Sequence, residues 1–197
     1  RNARTFAQIF HLVEPDFFLD NHVSNGADYQ YTLTHLFTQH NKLGGPLGGY
    51  LEDSLRTALE TSLARNAWEI TPYVNVFNRP PESGFSQFMD SPRYSTGYAA
   101  LWNTPGMMLE THMLKPYDQR VAGTYALMES LMALVAERRE ALREHRGQTK
   151  ASWVPGSGYP LGWKADSTQF RMLDFKGYQA DTIPSAVSGQ PRLQYDR

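Results

Sequence analysis

The amino-acid sequence predicts an α/β domain in which helices alternate with short apolar strands. Three stretches keep their apolar residues on one face, at the spacing of an amphipathic helix. Two short apolar runs, 17–19 and 106–109, each stop at polar or charged residues. Buried strands show this pattern where their carboxyl ends emerge at a pocket. We therefore expect strands whose ends carry the functional side chains.

The composition narrows the possible functions. With 41% hydrophobic and 13% aromatic residues over 197 positions, the chain can bury a core, which argues against wholesale disorder. Its 19 basic and 20 acidic residues nearly cancel, so no overall charge attracts nucleic acid or anionic lipid. No apolar run approaches the roughly 18 residues that span a bilayer. The absence of cysteine excludes disulfides, thiolate zinc sites and cysteine nucleophiles.

A helix and a strand open the predicted fold. The helix covers residues 3–14 and ends at Pro15, which has no amide hydrogen to donate inside a helix. Its apolar face comprises Phe6, Ile9, Phe10 and Val13. Residues 17–22 follow, and their nearly continuous apolar start predicts a buried central strand. The next stretch, 34–43, is polar and poorly periodic, so we expect its histidines at the surface or, at most, lining a pocket.

Four further elements follow along the chain. Leucine at every fourth position predicts a helix over 47–66. The alternating run 68–77 is β-rich, although Pro72 restricts it to the edge of a sheet. Residues 106–110 form a second apolar strand. A long helix over 119–145 begins apolar and ends in a charged, mostly solvated segment.

The chain ends carry less regular patterns. The sequence begins at Arg1 instead of an initiator methionine and shows no signal-peptide pattern, so we expect it to be part of a longer protein. Residues 148–197 are rich in Gly, Pro and Tyr and have no helical periodicity. They are interpreted as a tail, a linker or the start of a further β domain.

His22 is the first candidate functional residue. It stands at the end of the predicted strand, where a neutral imidazole is presented to a pocket and suits zinc. Asp20 lies on the same face of an alternating strand and could orient the imidazole ring. The alternative is a purely structural histidine, bound to a backbone carbonyl at the strand end.

Glu110 is the second candidate. A carboxylate that ends an apolar strand is partly desolvated, which raises its pKa toward the range of a general base. The alternative is an ion pair with Lys115 or an arginine that serves only the structure.

The loop over 92–98 is the third candidate. It contains a glycine, the guanidinium of Arg93 and the phenols of Tyr94 and Tyr98. Loops of this kind often form mobile lids over a substrate, in which a tyrosine donates a hydrogen bond. A surface loop with packed tyrosines is the alternative.

Two stretches, PDFFLDNHVSNGADYQYTLT (15–34) and PRYSTGYAALWNTPGMMLETHMLKPYDQRV (92–121), together resemble the zinc metallocarboxypeptidase family, the carboxypeptidase A-like peptidases. They look like the carboxyl-terminal half of the catalytic domain in the larger bacterial members. The resemblance extends over roughly residues 1–145 and is specific, because two motifs agree in order and approximate spacing.

The resemblance implies that residues 1–147 belong to a three-layer α/β/α sandwich with a mixed, largely parallel sheet. It implies that His22 is the third zinc ligand and that Glu110 is the general base that activates the zinc-bound water. A tyrosine of the mobile loop would assist substrate binding. Tyr94 matches best by its position, and Tyr98 is the alternative.

The sequence departs from the family in one major respect. The family's first two zinc ligands form an H-x-x-E motif that lies upstream of the matching stretches. The arginines that bind the substrate's carboxylate also lie upstream, so neither group is in this sequence. His11 and Glu14 imitate that spacing, but they lie on the first predicted helix and are interpreted as coincidence. With one of three ligands, the chain alone is expected to hold zinc weakly or not at all and to be inactive.

The resemblance also implies a peptide or peptide-like substrate, one zinc ion in the parent protein and a location outside the cytoplasm. Half a domain would expose sheet edge, so self-association is expected. One alternative is an amidohydrolase that acts on N-acyl amino acids or cell-wall peptides. Another is a non-catalytic module that binds peptide or glycan through Tyr29, Tyr31, Tyr94, Tyr98 and Trp102.

Overall fold

The computed structural model describes residues 2–24, 27–76 and 80–196, which form an α/β fold as predicted. The helices are α1 (Asn2–Val13), α2 (His40–Leu43), α3 (Gly45–Tyr50), α4 (Arg56–Arg65), α5 (Ser95–Leu101), α6 (Tyr117–Glu137) and α7 (Arg139–Ala151). The strands are β1 (Phe18–Ser24), β2 (Leu33–Phe37), β3 (Ile70–Pro72), β4 (Gly106–His112), β5 (Ala180–Pro184) and β6 (Pro191–Tyr195). A π-helical segment (Leu51–Leu55) joins α3 to α4.

The main sheet has the strand order β1–β4–β2–β3 and is mixed. β1 pairs with β4 and β2 pairs with β3 in parallel, whereas β4 and β2 run antiparallel. A mixed, largely parallel sheet is therefore confirmed. The predicted central position of β1 is wrong: it is the terminal strand of the described sheet, and residues 21–23 are exposed. β4 and β2 form the buried middle.

The apolar core lies on one face of this sheet. Five leucines spaced four residues apart are each at most 1% exposed: Leu47, Leu51, Leu55, Leu59 and Leu63. An α-helix has about 3.6 residues per turn, so side chains spaced four residues apart gradually rotate around a regular α-helix instead of staying on one face. The π-helical segment has wider turns, which offset this drift and keep all five leucines in the core.

Helices also cover part of the opposite face. There α1 and α5 meet around Phe18 of β1, whose ring lies 5.7 Å from that of Phe6 and 6.3 Å from that of Phe10. The sheet thus lies between two helical layers. Among the described residues, no helix is both long and apolar enough to cross a membrane.

The predicted helix over 119–145 is two helices, α6 and α7. The break is at Arg138, whose backbone (φ −100°, ψ 16°) leaves the helical region while its guanidinium donates to Ser54 Oγ at 2.7 Å. After the break, Leu142 is buried in the core, and Thr149 Oγ1 accepts the backbone N–H of Leu47 at 3.0 Å. The charged segment is therefore packed along one side through Leu142 and Thr149, while most of its residues are exposed, as the sequence predicts.

The stretch predicted to be polar and exposed contains the buried strand β2. All five of its residues are buried, and His35 is only 4% exposed, so the expected surface position of His35 is wrong. β3 lies at the other edge of the sheet and includes Pro72, as the sequence predicts. Phe77, at the end of that predicted strand, lies outside the described residues.

The carboxyl-terminal segment is partly docked onto the domain. The boundary predicted at 147/148 falls inside α7. Further along, the Lys176 carbonyl accepts the backbone N–H of Gln30 at 3.0 Å, and the ring of Phe175 lies 5.9 Å from Tyr29 and 5.5 Å from Tyr31. β5 and β6 then form an antiparallel hairpin.

Candidate functional site

A row of polar residues crosses the four strands on the face opposite the leucines. We call this set, His22, Glu110, Thr34 and Thr71, the polar row. His22 pairs with Glu110, Glu110 with Thr34, and Thr34 with Thr71. Residues paired in register project to the same side of a sheet, and neighbouring strands are roughly 4.8 Å apart. The parallel pairing of β1 and β4 therefore brings His22 and Glu110 together.

Glu110 is a buried carboxylate with an unsatisfied oxygen. The residue is 7% exposed, and its Oε2 has no hydrogen-bond partner among the described residues. Burial raises the pKa of Glu110; the positive charge of His22 acts against this, and the negative charge of Asp20 adds to it. Lys115, the alternative ion-pair partner, donates instead to the hydroxyl of Tyr178 at 3.0 Å.

His22 is held by a neighbour on its own strand. Its Nε2 lies 3.0 Å from Asp20 Oδ2, as the alternation of the strand predicts. The hydroxyl of Ser95, the first residue of α5, donates to the same carboxylate oxygen. This arrangement fixes the ring and leaves Nδ1 as the nitrogen that a ligand can approach.

The predicted mobile loop over 92–98 is in large part helix α5. Gly97 permits this, because a Cβ atom there would collide with the carbonyl oxygens of Asp90 and Ser91. The close approach fixes the amino end of α5 over β1 and places Ser95 beside Asp20. The residue that this stretch contributes to the site is therefore Ser95, which no sequence pattern singles out.

The three side chains predicted to bind substrate lie elsewhere. Tyr98 is half-buried between α1 and α5, where its hydroxyl lies 3.0 Å from His11 Nε2. Tyr94 is 43% exposed, and its ring packs edge-on against Phe88 at 4.8 Å. Arg93 is exposed. The expected convergence of a loop tyrosine on His22 and Glu110 is thus not observed, because the helix turns both phenols toward other aromatic rings.

Two other phenols lie near Glu110 instead. Tyr29 is 2% exposed, and its hydroxyl lies beside those of Ser24 and Thr34. Tyr73 follows β3 and is half-buried. Burial raises the pKa of both phenols, and the negative charge of Glu110 raises it further. Only its position in the fold singles out Tyr73, since the sequence around it contains no recognisable motif. The burial of Tyr29 also removes it from the proposed aromatic binding surface.

His112 forms a second histidine–carboxylate contact behind the polar row. Its Nδ1 accepts the backbone N–H of Leu114 at 3.1 Å, and its Nε2 accepts the backbone N–H of Tyr29 at 3.3 Å and lies 3.2 Å from Asp28 Oδ1. Burial lowers the pKa of His112, the charge of Lys115 lowers it further, and Asp28 partly opposes both. The ring of His112 therefore ties the backbone of Tyr29 and Leu114 to the end of β4.

The potential metal ligands do not form a complete site. Over residues 2–24, 27–76 and 80–196, no three histidine, aspartate or glutamate side chains are grouped so that they could hold a metal ion. A catalytic zinc normally takes three protein ligands. His22, paired in register with Glu110, could supply one such ligand, with Glu110 as the neighbouring base.

Comparison with known proteins adds no assignment to this geometry. No family model, no curated protein and no solved structure matches the chain.

Proposed function

We propose that this chain contributes a zinc ligand, His22, and the general base, Glu110, of a metallocarboxypeptidase that hydrolyses the C-terminal bond of a peptide. One observation carries the proposal: a histidine of β1 is paired in register with a buried carboxylate of β4 that has an unsatisfied oxygen. This pair matches the two residues that the family resemblance singles out.

His22 would bind zinc through Nδ1. Asp20 holds Nε2, which fixes the ring orientation and makes the opposite nitrogen a better donor. When bound, zinc supplies Lewis acidity, which polarises a carbonyl and lowers the pKa of water. Two further protein ligands would have to come from outside the described residues.

Glu110 would move the proton during hydrolysis. Its Oε2 accepts a proton from the attacking water as the water oxygen bonds to the carbonyl carbon of the peptide. The same proton then passes to the nitrogen of the leaving amine as the C–N bond breaks. A pKa raised by burial brings the carboxyl closer to neutral pH, where it both accepts and releases a proton efficiently.

The free edge of β1 is where the missing ligands would be added. β1 is the terminal strand of the described sheet, and the side chain of His22 is 46% exposed there. A further strand at this edge would lie one strand spacing, roughly 4.8 Å, from His22. In the absence of that strand, the same edge offers backbone donors and acceptors to a second copy of the chain, which would produce self-association.

The decisive experiment uses the product of the complete coding sequence that contains this chain. Zinc content and hydrolysis of an N-acylated dipeptide with a C-terminal carboxylate are measured for the wild type, His22→Ala and Glu110→Gln. We expect His22→Ala to lose zinc and activity. Glu110→Gln should keep zinc and lose on the order of 10²–10⁴-fold in kcat, the usual general-base contribution.

Matched controls separate these effects from general damage. His40→Ala and Glu129→Gln remove the same groups from positions away from the polar row and should leave zinc and activity unchanged. Near-normal turnover of Glu110→Gln, or full zinc content of His22→Ala, would contradict the proposal. The 197-residue chain alone should bind no stoichiometric zinc, and tight binding of one ion would refute the incomplete site.

A further inference from the structure

Tyr73 extends the polar face beyond the end of β3. Its backbone N–H donates to the carbonyl oxygen of His35 at 2.9 Å, so the extended pairing with β2 continues past Pro72. Side chains alternate along an extended strand, and Tyr73 is two residues beyond Thr71. Its phenol therefore projects on the same face as the polar row, on the β3 side of Glu110, whereas His22 lies on the β1 side.

The two phenols near Glu110 differ in what their hydroxyls can do. Tyr29 is fully enclosed, with its hydroxyl beside two protein hydroxyls. Tyr73 is only half-buried, and no described residue hydrogen-bonds to its hydroxyl. Tyr73 thus combines a position close to Glu110 with a donor that a bound molecule can reach.

From this placement, and resting on the proposed function, we propose that Tyr73 contacts the substrate and donates a hydrogen bond to an amide carbonyl oxygen held over Glu110. A neutral amide oxygen fits this position better than a carboxylate, because the charge of Glu110 repels an anion. Burial and the same charge raise the pKa of Tyr73, so the phenol keeps its proton at neutral pH and remains a donor.

The test measures binding of N-acetylglycyl-phenylalanine to the 197-residue chain by NMR titration. In the wild type, the signals of Tyr73 and Glu110 should shift on addition of the dipeptide. Tyr73→Phe removes only the hydroxyl and keeps the ring. We expect its Kd to rise about tenfold, which corresponds to about 1.4 kcal/mol for one neutral hydrogen bond. Tyr125→Phe, on the exposed side of α6, should bind like the wild type.

The outcomes separate this inference from the proposed function. Equal affinity of Tyr73→Phe and Tyr125→Phe, or no shift at Tyr73, overturns the assignment of Tyr73. If the complete gene product hydrolyses no dipeptide but Tyr73→Phe still weakens binding, the peptidase proposal fails and the contact stands. If hydrolysis occurs and Tyr73→Phe keeps the wild-type KM and kcat, only the assignment of Tyr73 fails.

Discussion

Glu110 and Glu60 are both carboxylates next to a histidine, yet their surroundings are opposite. Glu60 on α4 faces His35 of β2, with 2.8 Å between its Oε1 and Nε2 of the ring. Nη1 of Arg56 also donates to both oxygens of Glu60, at 3.0 and 3.3 Å. Burial alone would raise the pKa of Glu60, but His35 and Arg56 outweigh it, and the net direction is downward.

Glu110 lacks such partners. Burial raises its pKa, the charge of His22 only partly opposes this, and the charge of Asp20 raises the pKa further. A histidine neighbour therefore does not mark a functional carboxylate. Glu110 differs from Glu60 in having a buried oxygen without a hydrogen bond, and burial of its charge raises the pKa instead of stabilising the fold.

The largest effect that separates the two residues is expected in the free energy of unfolding. Glu60→Gln removes a charge that His35 and Arg56 both contact, so it should cost about 1–2 kcal/mol. Glu110→Gln removes a desolvated charge without hydrogen bonds at Oε2 and should leave stability unchanged or raise it. Urea unfolding of both variants at neutral pH measures the difference. Equal destabilisation by the two substitutions would contradict the difference between the surroundings of Glu60 and Glu110.

A smaller effect concerns the pH dependence of stability. The pKa of Glu60 is lowered by folding, so its contribution is present above 4.5 and is lost as pH falls through the folded-state value. The pKa of Glu110 is raised, so its contribution is present below 4.5 and is lost as pH rises through the folded-state value.

We therefore expect opposite slopes when each variant is compared with the wild type between about pH 3.5 and pH 7. The wild-type advantage over Glu60→Gln should shrink toward low pH. The stability of the wild type relative to Glu110→Gln should instead increase as the pH is lowered. Parallel curves for the two variants would show that the environments are alike.

The sequence alone predicts part of the site around Glu110. The apolar runs ending at His22 and Glu110 identify β1 and β4, and strand alternation places Asp20 beside His22. These inferences succeed because they depend on local pattern and on one rule of parallel sheets. The resemblance to metallocarboxypeptidases, together with zinc and the catalytic roles, stays a prediction.

The missed features depend on contacts distant in the chain. β2 looks polar because of Thr34 and His35, and its burial is tolerated only because Glu60 satisfies the imidazole. The break between α6 and α7 has no local breaker and coincides with the contact from Arg138 to Ser54. Tyr73 reaches Glu110 only across two intervening strand pairings, which no spacing in the sequence reveals.

The most direct test of the account is the pKa of the Glu110 carboxyl, measured by NMR titration of side-chain carboxyl carbons in the 197-residue chain. Glu110→Gln and Glu60→Gln assign the two signals. The account predicts that Glu110 titrates above 4.5 and Glu60 below it. A Glu110 value at or below 4.5 would show a carboxylate that is already satisfied, and would contradict its role as the base of this site.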